Sequence, residues 1–521
     1  MEEEHKVFNN SLRLLAKSSV IVFIAILLSK LLSYSYRIII ARHMGPEMYG
    51  VFSLAFIIVG WIIAFSSLGL ADGVLRYISL YRGEKQVEKI RYIFRKSIWI
   101  SFALGLFFGV VLFLSAEFIS INLFQSEELA IFLRCFSILI PVSLVLNIYL
   151  EAIRAYEKIG WYVFIYNVLQ NAIKVIFLIV LILLALESEA IIFSYILGII
   201  SMLIVAYLIC KYKLSEIFIK EKLNQNVKKE ILKDLFSYSW PLLFFGIIAN
   251  IFYNIDSFSV GYFKTVKEVG FYNAAVPIAI LLRMAQELFA QLFFPMIIKE
   301  YAQKKFEVIK QLSQQIGKWI FIINLPVLIL MVLFPGTIIN ILFGAEYLVA
   351  ENALRFLAGG AFIYSLFMIS NNLIIMMGKS KIILMDIIIA CIVNLALNFI
   401  LVPMPKIIFI ENELGINGAA IATLLSLILL NLLFMIQARK YLRIIPLKRK
   451  IVRVFLVSLI PTALLLLMKS QIDVTNIINV GLLGVFFILS YFLLIFLSGC
   501  LDKNDMLIIK SIKKKILSGR K

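Results

Sequence analysis

The chain has 521 residues, of which 62% are hydrophobic and 16% charged, and a formal net charge of +20. Soluble domains carry roughly 45–50% apolar and about 25% charged residues, so the composition excludes a soluble globular protein and points to a polytopic membrane protein. The charges recur between apolar runs rather than in one patch, so no nucleic-acid partner is implied. The four cysteines (Cys135, Cys210, Cys391, Cys500) and two histidines (His5, His43) are too dispersed for a disulfide framework, zinc or haem, so neither metal nor cofactor is expected.

The opening MEEEHK is acidic and leads into an apolar run too long for a signal-peptide core, which reads as an uncleaved first helix. The chain holds fourteen apolar runs, near residues 18–41, 48–74, 97–121, 129–152, 161–186, 190–210, 236–262, 270–295, 317–343, 348–377, 381–402, 415–438, 451–469 and 476–499. Each is long enough to cross about 30 Å of hydrocarbon, and each must be a helix because an open sheet edge finds no partners in lipid. The expected fold is therefore all-α, with fourteen transmembrane helices.

The first two runs form a hairpin turned at Gly45-Pro46, and Lys30, Tyr34 and Arg37 recur at helical spacing on one face of its first limb. A charge at membrane depth is costly, so Lys30 and Arg37 either line a cavity, pair with an acid in the bundle or, for Arg37, snorkel outward. Asp72 and Arg76 close the second run at i, i+4 as a gate or cap pair. Arg134, near an external helix end, is expected to snorkel. Lys174 lies mid-span in the fifth run, after Asn167 and Asn171, which have either a cavity role or a role bonding neighbouring helices.

Residues 211–235 (KEKLNQNVKKE within it) form the longest connection and read as a linker. Beyond it the opening hairpin recurs: KEVGFYNAA from Lys267 repeats EMYGVFSLA from Glu47, matching Gly50 to Gly270, Phe52 to Tyr272 and Ala55 to Ala275. Asn394 and Asn398 echo the spacing of Asn167 and Asn171. In this second half Asp256 is placed to pair with a cavity cation or carry a coupling proton. Arg283 is the second half's cavity candidate, with Glu287 one turn away as its alternative partner. Arg355 is expected to snorkel, and Asp386 to serve the cavity or anchor its helix at the surface. The tail KSIKKKILSGRK suits either a helix on anionic headgroups or a solvated terminus.

Most of the 51 Lys and Arg fall on alternate connections, which by the positive-inside rule places both termini in the cytoplasm. The repeat divides the chain into an N-lobe (1–210), the linker, a C-lobe (236–445), two further helices (446–500) and a basic cytoplasmic tail (501–521).

Five segments in order, RHMGPEMYGVFSLA, SLGLADGVLRYIS, DSFSVGYFKTVKEVGFYNAA, LFGAEYLVAENALRFLA and NLALNFILVP with GINGAAIAT, resemble the polysaccharide (O-antigen type) flippases. These belong to the multidrug/oligosaccharidyl-lipid/polysaccharide exporter superfamily. The resemblance covers nearly the whole chain. It implies two six-helix lobes around a central cavity that opens alternately to either side, moving lipid-linked oligosaccharides from the inner to the outer leaflet.

A polyprenyl-diphosphate glycan needs cations for its phosphates, and Lys30, Arg37, Lys174 and Arg283 are the candidates. The same sign argues against the alternative, a multidrug-type cation antiporter, whose cavity favours acids. No long external loop, DxD motif or His/Cys cluster suggests an enzyme. The expectation is a monomeric transporter of the cell membrane, its partners being the bilayer and the glycan lipid.

Overall fold

A computed structural model of the chain describes residues 2–405, 415–444, 450–472 and 477–501. Side chains are described from Ile26 onward, except at 288, 291–293, 295, 296, 299 and 477. The basic tail lies outside the described residues. Those described contain helices and no β-strand. Thirteen stretches are long and apolar enough to cross a membrane, and the first, Ile26–Ser66, spans 41 residues and folds back at Gly45. Gly45 adopts φ 80°, in the left-handed region that favours glycine, and Pro46 restarts the helix where no N–H is needed. Taken on either side of that kink, the described residues hold fourteen stretches suited to a multi-pass membrane protein.

The first compact unit comprises the residues up to Pro277 together with Ile387–Thr423. It contains α1 (Glu2–Ser66), α2 (Leu70–Gly83), α3 (Val87–Phe124), α4 (Glu127–Phe136), α5 (Leu139–Ala155), α6 (Ile159–Val163), a π-helical segment (Phe164–Leu169), α7 (Gln170–Leu183), α8 (Ser188–Lys213) and α9 (Gln225–Phe263). It also takes most of α10 (Val266–Ile280), the later part of α15 (Ser380–Leu401) and the start of α16 (Gly415–Leu442).

The repeated hairpins meet here at their matching glycines. A Cβ on Gly50 would lie 1.9 Å from the Val266 carbonyl oxygen, and one on Gly270 1.9 Å from that of Pro46. Val266 and Pro46 each precede their glycine by four residues, so the contact is self-complementary and only glycine fits either place.

The stretch between α8 and α9 is strapped onto α3. Arg95 forms an ion pair with Glu221 at 2.8 Å and donates to the carbonyls of Phe218 and Ile219, while Arg91 donates to that of Glu216. Ile217 is buried, and Phe218 packs edge-on against Phe94.

The second unit comprises Ile278–Asp386 and the residues from Leu424 on. Its helices are α11 (Met284–Ala302), α12 (Phe306–Leu333), α13 (Pro335–Leu342), α14 (Glu351–Met376), α17 (Lys450–Lys469) and α18 (Ile477–Leu497), with the remaining parts of α10, α15 and α16. Asn324 of α12 donates to the Leu282 carbonyl and Ser365, a polar bond of the kind that joins helices in lipid. The last two helices dock through Phe334, Leu465, Leu483 and Phe487, and Tyr491 donates to the Ile322 carbonyl at 3.0 Å.

Candidate functional site

Two polar constellations lie within the first unit at membrane depth. In the first, the Lys174 side chain of α7 is 7% exposed, and its ammonium lies 5.3 Å from the ring centre of Tyr36 and 4.9 Å from that of Tyr195. Both rings offer their electron-rich faces to the cation. Tyr36 is held by its hydroxyl against Ser194 and the Ile191 carbonyl, and Phe52 and Phe136 pack on the rings from behind. Space for the lysine comes from Gly198, where a Cβ would lie 2.6 Å from Lys174 Cγ.

The π-helical turn directly before α7 carries an extra residue and so re-aims the side chains of that helix; such turns recur at functional sites. One turn before Lys174, the Asn171 amide donates to Ser29 of α1 and back to the Asn167 carbonyl at 2.9 Å.

Arg37 comes directly after Tyr36 in α1 and hydrogen-bonds the Tyr49 hydroxyl, which itself donates to the Asn273 carbonyl at 3.0 Å. Arg37 and Lys174 sit close enough to repel each other, and the groups acting on them are tyrosines rather than carboxylates. Two cations in an aromatic cage, with no acid among those partners, make a site that an anion completes. Lys30 lies half-buried two turns before Arg37.

The second constellation is acidic. Asp256 of α9 is 5% exposed; one carboxylate oxygen accepts from Asn398 at 2.8 Å and the other from Thr423. The Asn398 amide also reaches the Asn394 carbonyl at 2.9 Å, repeating the local geometry of Asn171 and Asn167. Tyr272 hydrogen-bonds both Thr423 and Asp256. All of these partners are neutral, and Asn394 is a fourth side chain bonded to the same carboxylate. Among the described residues, the partners of Asp256 do not include a cation. Four oxygen-bearing side chains instead converge on a lone carboxylate, which suits a proton or a small cation.

The other expected residues are dispersed. Arg76 lies 4.1 Å from the ring centre of Tyr238 and forms no ion pair with Asp72, whose carboxylate faces Arg154 instead. Among the described residues the i, i+4 ion pair read from the spacing does not form, and the two side chains have separate partners. Arg134 pairs with Glu117 at 2.6 Å, and Arg355 with Glu351 at 3.6 Å. Asp386 is buried and hydrogen-bonded to Gln437 rather than anchored at a surface. In the second unit Arg283 sits in a short 3₁₀ turn with its guanidinium 4.5 Å from the Tyr364 ring centre.

Sequence reasoning missed Tyr36, Tyr49, Tyr195 and Gly198 as parts of the cage. The one signal available was the adjacency of Tyr36 to Arg37.

The chain resembles known proteins throughout its length. It is 26% identical over 406 residues to a Shigella flexneri protein named an O-antigen transporter, covering 75% of this chain and 89% of that one. It is 24% identical over 420 residues to a Haloferax volcanii protein named as the low-salt glycan biosynthesis flippase Agl15, covering 79% and 81%. Among solved structures, lipid II flippase MurJ in an inward closed conformation superposes with a TM-score of 0.68 at 18% identity, covering 91% of this chain and 98% of that one. An inward-facing multidrug resistance MATE transporter gives 0.67 at 16% identity, covering 81% and 98%. Those two likenesses establish the fold. Residues 241–400 match the MatE family. Residues 15–301, more than half the chain, match the family described as Polysaccharide biosynthesis protein, and the chain belongs to that family.

Proposed function

We propose that the protein flips polyprenyl-diphosphate-linked oligosaccharides across the cell membrane by alternating access, with both termini in the cytoplasm. The observation that carries this reading is the cage: Lys174 and Arg37 present two positive charges against tyrosines, with no carboxylate among the described residues acting on either. A diphosphate supplies the missing negative charge through charge-assisted hydrogen bonds, while its prenyl tail stays in lipid. Lys30 extends the same face toward the entrance, and Arg283 serves the second half. The sign of the cage disfavours a cation antiporter, whose cargo it repels. Relatives named for O-antigen and glycan transport fit a non-catalytic transporter.

Asp256 then serves as the coupling site. Its carboxylate and the oxygens of Asn398, Thr423 and Tyr272 take up a proton or monovalent cation whose entry and release drive the cycle. The N-lobe and C-lobe rock against each other in a monomer, with the linker between them. The test is flipping of a fluorescent polyprenyl-diphosphate sugar in proteoliposomes. Lys174→Gln and Arg37→Gln are expected to slow it about tenfold or more, since each removes a charged hydrogen bond. Unchanged flipping in both variants overturns the reading.

A further inference from the structure

The residues just before the cage form a second structure that the cations do not use. Tyr162 and Tyr166, one turn apart across the start of the π-helical segment, stack with ring centres 5.8 Å apart and planes inclined by only 5°. The guanidinium of Arg154 lies 5.6 Å from the Tyr162 ring centre and pairs with Glu151 at 3.4 Å. The pile therefore runs Arg154, Tyr162, Tyr166, fixed at its base by an ion pair, while Tyr166 is 51% exposed at its open end. Asp72 lies within electrostatic reach of the same base. Tyr166 precedes Lys174 by eight residues in the same helical span.

An isolated interfacial tyrosine needs no such support. A rigid, stacked ring with one open face is what binds the apolar C–H face of a pyranose, and carboxylates beside it accept sugar hydroxyls. At the base the one guanidinium in the pile is already paired with Glu151, so the carboxylates there favour a sugar's hydroxyls over the carboxylate of a uronic or sialic acid.

We propose that the Tyr162–Tyr166 stack is a sugar-binding platform, selecting a neutral or amino sugar as the residue next to the diphosphate. This rests on the diphosphate occupying the Lys174 cage, because the first sugar is covalently one bond from that diphosphate and must sit beside it. The platform gives the flippase a means of reading its cargo, whereas the cage alone takes any diphosphate lipid.

The full chain in phosphatidylcholine nanodiscs tests it with three probes: polyprenyl diphosphate, the same lipid bearing N-acetylglucosamine, and the same lipid bearing glucuronic acid. The wild-type chain is expected to bind the N-acetylglucosamine lipid between about threefold and tenfold more tightly than the bare lipid, and the glucuronic acid lipid no more tightly. Tyr166→Leu brings the first two affinities together, and Tyr166→Phe, which keeps the ring, restores the difference. A preference that survives Tyr166→Leu, or equal preference for the acidic sugar, overturns the proposal. Failure of the wild-type chain to bind any diphosphate lipid removes the diphosphate reading of the cage. Saturation-transfer NMR with methyl N-acetylglucosaminide then decides the platform by itself. Transfer lost in Tyr166→Leu sustains it, and equal or absent transfer overturns it.

Discussion

Lys174 is legible in the sequence because a charge inside an apolar run is anomalous wherever it occurs; its surroundings are not. Tyr36 and Tyr195 are two of 22 tyrosines, and nothing in their spacing separates a cage wall from an interface belt. Gly198 is equally silent, since its role is to leave room for a side chain from another helix. That role gives a sharp expectation. Gly198→Ala places a methyl 2.6 Å from Lys174 Cγ and, as overpacking does, should cost about 1–3 kcal/mol in thermal unfolding while displacing the ammonium and slowing flipping. At Asp256, Asn is nearly isosteric but cannot ionise. Asp256→Asn should leave the protein folded and remove the response of flipping to an imposed proton or sodium gradient; a response that persists refutes the coupling role. The Asn394 and Asn398 pair was visible as an echo of Asn167 and Asn171, but its attachment to Asp256 was not, because that bond joins residues 142 apart.

At the scale of elements, the π-helical segment matters most to the cage. An alanine inserted after Gln170, in the ordinary helix just past Phe164–Leu169, turns everything beyond by roughly 100°, the angle of one residue. Lys174 then leaves its cage, so flipping should be lost while the chain still inserts, as judged by abundance in isolated membranes. Hydropathy sees the fifth span as one continuous run, and the irregularity leaves no mark on composition. The strap over α3 gives a second expectation. Arg95→Ala removes an ion pair and two carbonyl contacts, which should lower stability by about 1–3 kcal/mol and expose residues 214–224 to protease. The sequence showed this stretch only as a lysine-rich connection, because its anchors sit in α3, more than a hundred residues earlier.

The whole molecule was the most legible scale. Apolar run length alone accounts for the fourteen crossings, and the Gly-Pro turn locates the first reversal. The alternation of basic connections sets an orientation that thiol labelling can check: Lys85→Cys should be shielded from an impermeant reagent added outside intact cells, and Ser126→Cys should react. The division into compact units was not legible, since it passes through α10, α15 and α16, and no composition shift marks a boundary inside a helix. The spacing that relates Gly50 to Gly270 also relates Tyr36 to Asp256, so equivalent positions of the repeat carry an anion-seeking cage in one half and a lone carboxylate in the other. The contact between the two glycines is made of backbone alone and lies inside one compact unit, so it pins the two hairpins together at a point where no side chain can yield. A single methyl at either glycine becomes a wedge, and Gly270→Ala should prise the hairpins apart and lower the thermal unfolding temperature far more than an alanine at Gly60, which meets nothing within 4 Å.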